Sequence, residues 1–281
     1  MLKTLSAASL TLLLAGAAAP AFAQSAYDWS GPYVGVFGGY TQPNDDDNET
    51  VLFDRNLDGN FGDTVVDAGG ADIFARGFCG DQLSVLSANP AGPIRCDRDG
   101  SGVEGGAKVG WDWQMGNWVV GAVGELAAVS AEDSVTAFSN GPDAYSFTRK
   151  MEHMAALRLR AGYASGPGMF YVTGGPAYGK IHNSAFITNQ VNSFTVLEDE
   201  DDADGWQFGG GVEWRLEKNF ILNAEYIYSD LDTGDYVVRA GPGSAPADNP
   251  FLLGNALGTD MRRESDSFAQ HHLRIGMNVR F

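Results

Sequence analysis

The alternation of side chains near the end of this chain limits its fold more than any other feature. Stepping back by two from Phe281 gives Val279, Met277, Ile275 and Leu273, all apolar. Between them lie Arg280, Asn278, Gly276, Arg274 and His272. A strand turns successive side chains to opposite faces, whereas a helix repeats every 3.6 residues, so this is a strand with one greasy face. The pattern recurs in Trp206, Phe208, Val212, Trp214 and Leu216, set against Gln207, Gly209, Gly211, Glu213 and Arg215. It recurs again in Leu222, Ala224, Tyr226 and Tyr228, and in Leu157, Leu159, Ala161 and Tyr163, which alternate with Arg158, Arg160 and Gly162.

Eight such segments are predicted, near 31–41, 103–115, 117–130, 147–164, 168–182, 205–217, 219–230 and 266–281. Gly116-Asn117, Ser165-Gly166-Pro167-Gly168 and Lys218-Asn219 make three short connections rich in turn formers. The other four, about 42–102, 131–146, 183–204 and 231–265, are long. Short and long connections alternate, as they do in an up-and-down barrel with tight turns at one rim and large loops at the other. The even strand number places both ends of the barrel at one rim. Glycine supplies 37 of 281 residues, a usage suited to turns and crowded sheets and poorly tolerated in long helices.

Met1-Leu2-Lys3, the apolar stretch Leu10 to Ala19, and Ala21-Phe22-Ala23 read as a secretory signal over residues 1–23. Residues 24–281 are then one exported barrel domain, whose first external loop is about 42–102. Lys and Arg total 18 against 36 acids, a formal charge of −18. Removing Lys3 leaves 17 basic residues and a mature charge of −19. Such a chain repels phosphate backbones, which excludes nucleic acid as a partner. No run of 18 apolar residues follows the signal, so a membrane-spanning helix is not expected.

A soluble barrel hides its apolar face and a membrane barrel turns it outward. Eight strands enclose a bore only wide enough for side chains. The polar faces here carry Lys108, Asp112, Glu125, Arg158, Arg160, Glu213, Arg215, Glu225, Arg274 and Arg280, interspersed with Gly110, Gly162, Gly209 and Gly211. This mixture suits a lumen in which opposite charges pair. The apolar faces carry Trp111, Trp113, Trp118, Tyr163, Trp206, Trp214, Tyr226, Tyr228 and Phe281 near strand ends. Amphipathic rings at two levels match the girdles of a membrane barrel. The expected fold is therefore all-β, an eight-stranded antiparallel transmembrane barrel with long extracellular loops. The competing reading is a lipocalin-type soluble barrel.

The stretch Asp28-Trp29-Ser30-Gly31-Pro32-Tyr33-Val34-Gly35 resembles the opening of opacity-type, OmpA-like outer-membrane proteins. His271-His272-Leu273-Arg274-Ile275-Gly276-Met277-Asn278-Val279-Arg280-Phe281 resembles their terminal strand. Residues 157–163 and 171–175 resemble their middle strands. The resemblance covers the strands well and the long loops poorly. It implies residence in the outer membrane of a Gram-negative cell, with structural, adhesive or envelope-integrity roles. It also implies that Phe281 serves as a signal read by the barrel-assembly machinery.

Within the first loop, Asp54, Asn56 and Asp58, then Gly59, match the opening half of a Ca²⁺-binding loop. Asn60 would add a carbonyl. Position twelve is Val65, so Asp63 would have to replace the usual glutamate. A structural Ca²⁺ is the one cofactor to be tested, against an acidic, solvated loop. Asp97-Arg98-Asp99-Gly100-Ser101-Gly102 is a weaker echo. Cys79 and Cys96 share the loop, and an even cysteine count in an exported protein points to a disulfide. Free thiols or a metal pair are the alternatives.

Gly100-Ser101-Gly102-Val103-Glu104-Gly105 fits a dinucleotide-binding fingerprint, but a strand follows where a helix is needed. His182 and Ser184 share a face, with Glu198 the nearest loop acid, and nothing fixes the three as a catalytic set. No enzyme is expected. His271 and His272 face opposite ways and cannot chelate together. Glu198 to Asp202, five consecutive acids, read as solvated, or as holding divalent cations that bridge lipopolysaccharide phosphates. The function expected is a structural and interaction protein in contact with outer-membrane lipid and lipopolysaccharide. The alternatives are a narrow ion-conducting channel and, third, a surface lipid-modifying enzyme.

Overall fold

The computed structural model describes residues 27–44, 48–79, 82–83, 96–97, 99–141 and 143–281. The signal peptide expected at residues 1–23 lies outside them. Eight long strands form the wall: β1 (Gly31–Pro43), β2 (Gly102–Met115), β3 (Trp118–Val129), β4 (Ala144–Ser165), β5 (Gly168–Ile187), β6 (Asp202–Arg215), β7 (Phe220–Thr233) and β8 (Ser267–Arg280). Each pairs antiparallel with the next. β8 closes the ring on β1, from Tyr33 opposite Arg280 to Pro43 opposite Gln270. No barrel strand is left with an open side along its whole length, so backbone hydrogen bonding is satisfied within the lipid.

Orientation decides between the two barrel types. Leu157, Val212 and Ile275 are 61%, 42% and 64% exposed on the outside, while Arg158 and Glu213 are 0% and 1% exposed within. The apolar face looks outward. Trp206 and Trp214 lie eight residues apart on β6, about 20 Å along the barrel axis for a strand of ~3.3 Å rise tilted ~40°. Two aromatic levels so spaced bracket a hydrocarbon band.

The three tight turns lie at one rim. Gly116 and Gly166 have φ of +65° and +59°, the left-handed conformation that a two-residue hairpin turn requires and glycine adopts freely. At this rim the Phe281 N–H also donates to the Pro32 carbonyl at 3.1 Å.

The opposite rim departs from the sequence reading. The four long connections, expected as loops, contribute strands of their own. β4 runs 22 residues and outlasts β3. Above Val129 the strand Glu132–Phe138 takes over as its partner, from Glu132 opposite Lys150 to Phe138 opposite Ala144. Val51–Asp54, Thr259–Arg263, Tyr236–Gly241 and Ser193–Asp199 then assemble a separate four-stranded sheet. Phe53, Phe74, Tyr145, Phe147, Phe251 and Met261 are buried beneath it, and the Phe53 and Phe74 rings stack at 4.5 Å. The loops thus build a head with an apolar core. Short strands drawn from four distant connections leave little periodicity in any one of them.

Candidate functional site

The inward faces bring the expected charges together in three levels. Nearest the turn rim, Arg160 meets Glu213 at two points, Nη1–Oε1 3.0 Å and Nη2–Oε2 3.1 Å. Its Nε lies 3.1 Å from Asp112, whose other oxygen receives Arg280 at 2.5 Å. Tyr33 and Tyr171 flank the Arg160 guanidinium at 5.2 and 4.5 Å. At mid-height, Glu125 accepts from Arg158 at 2.5 Å and from Arg274 at 2.7 Å. Glu225 accepts from Lys108 at 3.0 Å and from the Tyr171 hydroxyl at 2.7 Å. Above them Arg274 grips Glu104 with bonds of 2.7 and 2.9 Å. His272 bridges Thr41, Glu104 and Ser229 at 3.1, 3.2 and 2.8 Å.

Five cations (Lys108, Arg158, Arg160, Arg274 and Arg280) are buried with five anions (Glu104, Asp112, Glu125, Glu213 and Glu225). The lumen set is therefore balanced, with His272 counted neutral, and the chain's charge of −18 resides outside it. Charges taken from water need close, hydrogen-bonded partners, which this lattice supplies. Glycine makes the room. A Cβ on Gly110 would lie 2.3 Å from the Tyr33 ring, and one on Gly121 2.0 Å from Asp112.

One expected member falls outside the lumen. Arg215 ends β6 at the turn rim, half-buried, and donates at 2.6 Å to the carbonyls of Lys218 and Asp28. Its guanidinium lies over the Trp29 ring at 4.9 Å, away from the lumen carboxylates. Sequence reasoning misses Glu104, although it lies four residues before Lys108, as Lys108 does before Asp112, on the same face of β2. Asn278, in sequence a polar-face residue without a charge, donates to Glu213 at 3.0 Å.

Above the charge lattice the lumen turns apolar: Met151, Met154, Ile181, Leu231 and Phe268 are buried together. A second ionic cluster covers them. Arg149 lies over the Phe268 ring at 4.8 Å and donates to Asp133 at 2.6 Å. Arg263 joins Asp133 at 3.0 Å and Glu49 at 2.8 Å. Burial raises the Asp133 carboxyl, yet Arg149 and Arg263 outweigh it and hold the group down at about 2. This latch ties β4, Glu132–Phe138, Thr259–Arg263 and the first loop over the barrel mouth. Sequence spacing could not reveal it, because its members are up to 214 residues apart.

The expected Ca²⁺ residues form a closed turn. Asp54 accepts from the N–H groups of Leu57, Asp58 and Gly59 at 2.7, 3.2 and 2.7 Å. Asp58 accepts from Asn56 and Asn60, and Asp63 from the Arg55 N–H at 2.9 Å. Among the described residues no group of three His, Cys, Asp or Glu could hold a metal ion. As folded, these oxygens accept hydrogen bonds from their own loop. In the weaker echo, the described Asp99 accepts from the Ser134 N–H at 2.9 Å. Cys79 is buried on the short strand Phe78–Cys79, opposite Thr136. The Cys96 backbone pairs with Leu83, and its side chain lies outside the described residues. His182, Ser184 and Glu198 are all exposed. His271 and His272 diverge as expected: the first stacks outside against Tyr226, the second is buried within.

The profile of the outer membrane protein beta-barrel domain matches residues 9–281. This chain belongs to that family. It is similar to the 31 kDa outer-membrane immunogenic protein of Brucella melitensis, 26% identical over 266 residues that cover 91% of this chain and 85% of that protein. It is also similar to the 22 kDa outer membrane protein of Rhizobium leguminosarum, 28% identical over 58% of this chain and 69% of that one. Among solved structures, OprG from Pseudomonas aeruginosa aligns over 90% of this chain and 96% of its own, with 15% identity and a TM-score of 0.44. The family member described here is an outer-membrane protein.

Proposed function

We propose that the protein is a non-catalytic structural and contact component of the outer membrane, a plugged barrel that holds a folded acidic head at the cell surface. The observation that carries this reading is the lumen, where ten paired charges are buried beneath an apolar layer and an ionic latch. A bore filled in this way favours a closed barrel over an aqueous channel. The immunogenic description of the Brucella relatives supports a head that is accessible outside the cell. His182, Ser184 and Glu198 are all exposed, so this set lacks the buried orienting acid of a working triad. Lipid and lipopolysaccharide would cover the outward apolar face, and the barrel-assembly machinery would engage the terminal strand through Phe281.

Planar-bilayer recording of the purified barrel tests the proposal. The expected record lacks large, stable conductance steps; their presence would favour the narrow-channel reading. Deletion of the gene should sensitise cells to detergents. A lipid A deacylation assay on the same preparation should give no product.

A further inference from the structure

The ladder between β5 and β6 stops at Lys180 opposite Asp202, with one more bond from the Ile181 N–H to the Asp201 carbonyl at 2.8 Å. Beyond that point the two chains part. Ser193–Asp199 leaves β5, joins the head sheet and pairs with Tyr236–Gly241. It is the outermost strand of that sheet. Along its other side, N–H and C=O groups meet no strand among the described residues. The strand is largely open to solvent: Val196 and Leu197 are 49% and 44% exposed.

An open edge is a template for another strand, and proteins usually blunt one with charges (lysine above all), proline, a bulge, short length or a covering element. Ser193–Asp199 contains neither lysine nor proline. Its one irregularity is a register shift between Val196 and Glu198. The five acids Glu198 to Asp202 run on from it. Lys180 pairs with Asp201 and Asp202, whereas no described ion pair includes Glu198, Asp199 or Glu200. A second copy of this chain is a poor occupant, because edge-to-edge pairing would set two such acidic heads side by side.

We propose that Ser193–Asp199 receives an extended segment of a partner protein as an added antiparallel strand, the segment's lysine- or arginine-bearing amino end lying against Glu198–Glu200. Main-chain hydrogen bonds supply the attachment, and the charge at one end fixes direction. Val196 and Leu197 favour β-branched or other apolar residues in the rest of the segment. The proposal rests on the reading of the head as a contact surface. It is independent of the plugged lumen, so conductance data and peptide data fail separately.

The test uses the whole barrel in lipid nanodiscs and a labelled peptide of two lysines followed by five alternating valines and threonines. Binding should be saturable, should weaken with salt, and should slow amide exchange at Phe194 and Val196. Reversing the peptide, or replacing its lysines by glutamates, should weaken it by at least about tenfold. Val196→Pro should abolish binding by removing an edge N–H. Should that variant misfold, Glu198→Lys with Glu200→Lys should transfer preference to the glutamate peptide. Equal binding of lysine and glutamate peptides would overturn the proposal. So would protection confined to other segments, or dimers protected at Ser193–Asp199 without peptide.

Discussion

Arg160 on β4 and Glu213 on β6 face each other across the lumen in a two-point ion pair, with both side chains cut off from solvent. The two strands are not neighbours in the ring; β5 stands between them. The pair therefore braces the barrel across its bore, where backbone hydrogen bonding cannot.

Removing one partner strands the other. Arg160→Ala is expected to cost about 3–5 kcal/mol, the range for breaking a buried pair, read as a lower urea midpoint in lipid vesicles. Joint replacement, Arg160→Met with Glu213→Leu, should recover most of that loss, because it leaves no uncompensated charge.

The outward face should tolerate no charge. Leu157→Arg is expected to cost about 2–4 kcal/mol, as for basic residues near the midplane of other barrels. The heat-modifiable shift on SDS gels should be retained by the natural protein and weakened in this variant. Full stability of Leu157→Arg would contradict the orientation.

The latch should make the head sensitive to acid. The Asp133 carboxyl is held down from 3.8 to about 2 by Arg149 and Arg263 against its burial. A depressed carboxyl stabilises the fold above the unfolded pKa and loses that contribution as pH falls through the folded one. Exchange of the head's amides, taken relative to their intrinsic rates at each pH, should thus be steady above pH 4 and rise between about pH 4 and 2. In Asp133→Asn that rise should flatten while exchange at neutral pH increases.

The first loop offers two checks. Mass spectrometry without reductant should find the Cys79 and Cys96 peptides linked, and reduction should loosen the segment between them by up to about 3 kcal/mol in the chain-entropy account. Separate free thiols would refute the link.

Asp54→Ala should speed exchange at Leu57, Asp58 and Gly59, whose N–H groups it now holds, with or without Ca²⁺. Calorimetric titration to millimolar Ca²⁺ decides the cation reading. Binding that depends on Asp54 and Asp58 would show that these carboxylates exchange their N–H partners for the ion.

Alternation along single strands was enough to reveal the barrel. Leu157 and Arg158, or Ile275 and Arg274, declare opposite faces wherever the strand sits, because the two-residue repeat is local and strong. From it followed the eight strands, nine of the ten lumen charges, and the outward aromatics. Arg215 shares the same repeat but donates to the Lys218 and Asp28 carbonyls at the rim, and a pattern carries no information on which partners a terminal side chain meets.

Which charge meets which was decided only by closure of the ring. Arg160 reaches Glu213 rather than Glu225 because strand tilt and stagger set their relative heights, and these are properties of the assembled barrel. The head is the extreme case. Glu49, Asp133, Arg149 and Arg263 come from four separate segments, and the open edge at Ser193–Asp199 exists because that strand left its hairpin neighbour for a distant sheet. Contacts between remote short strands depend on burial gained jointly, and no single stretch of sequence carries that term.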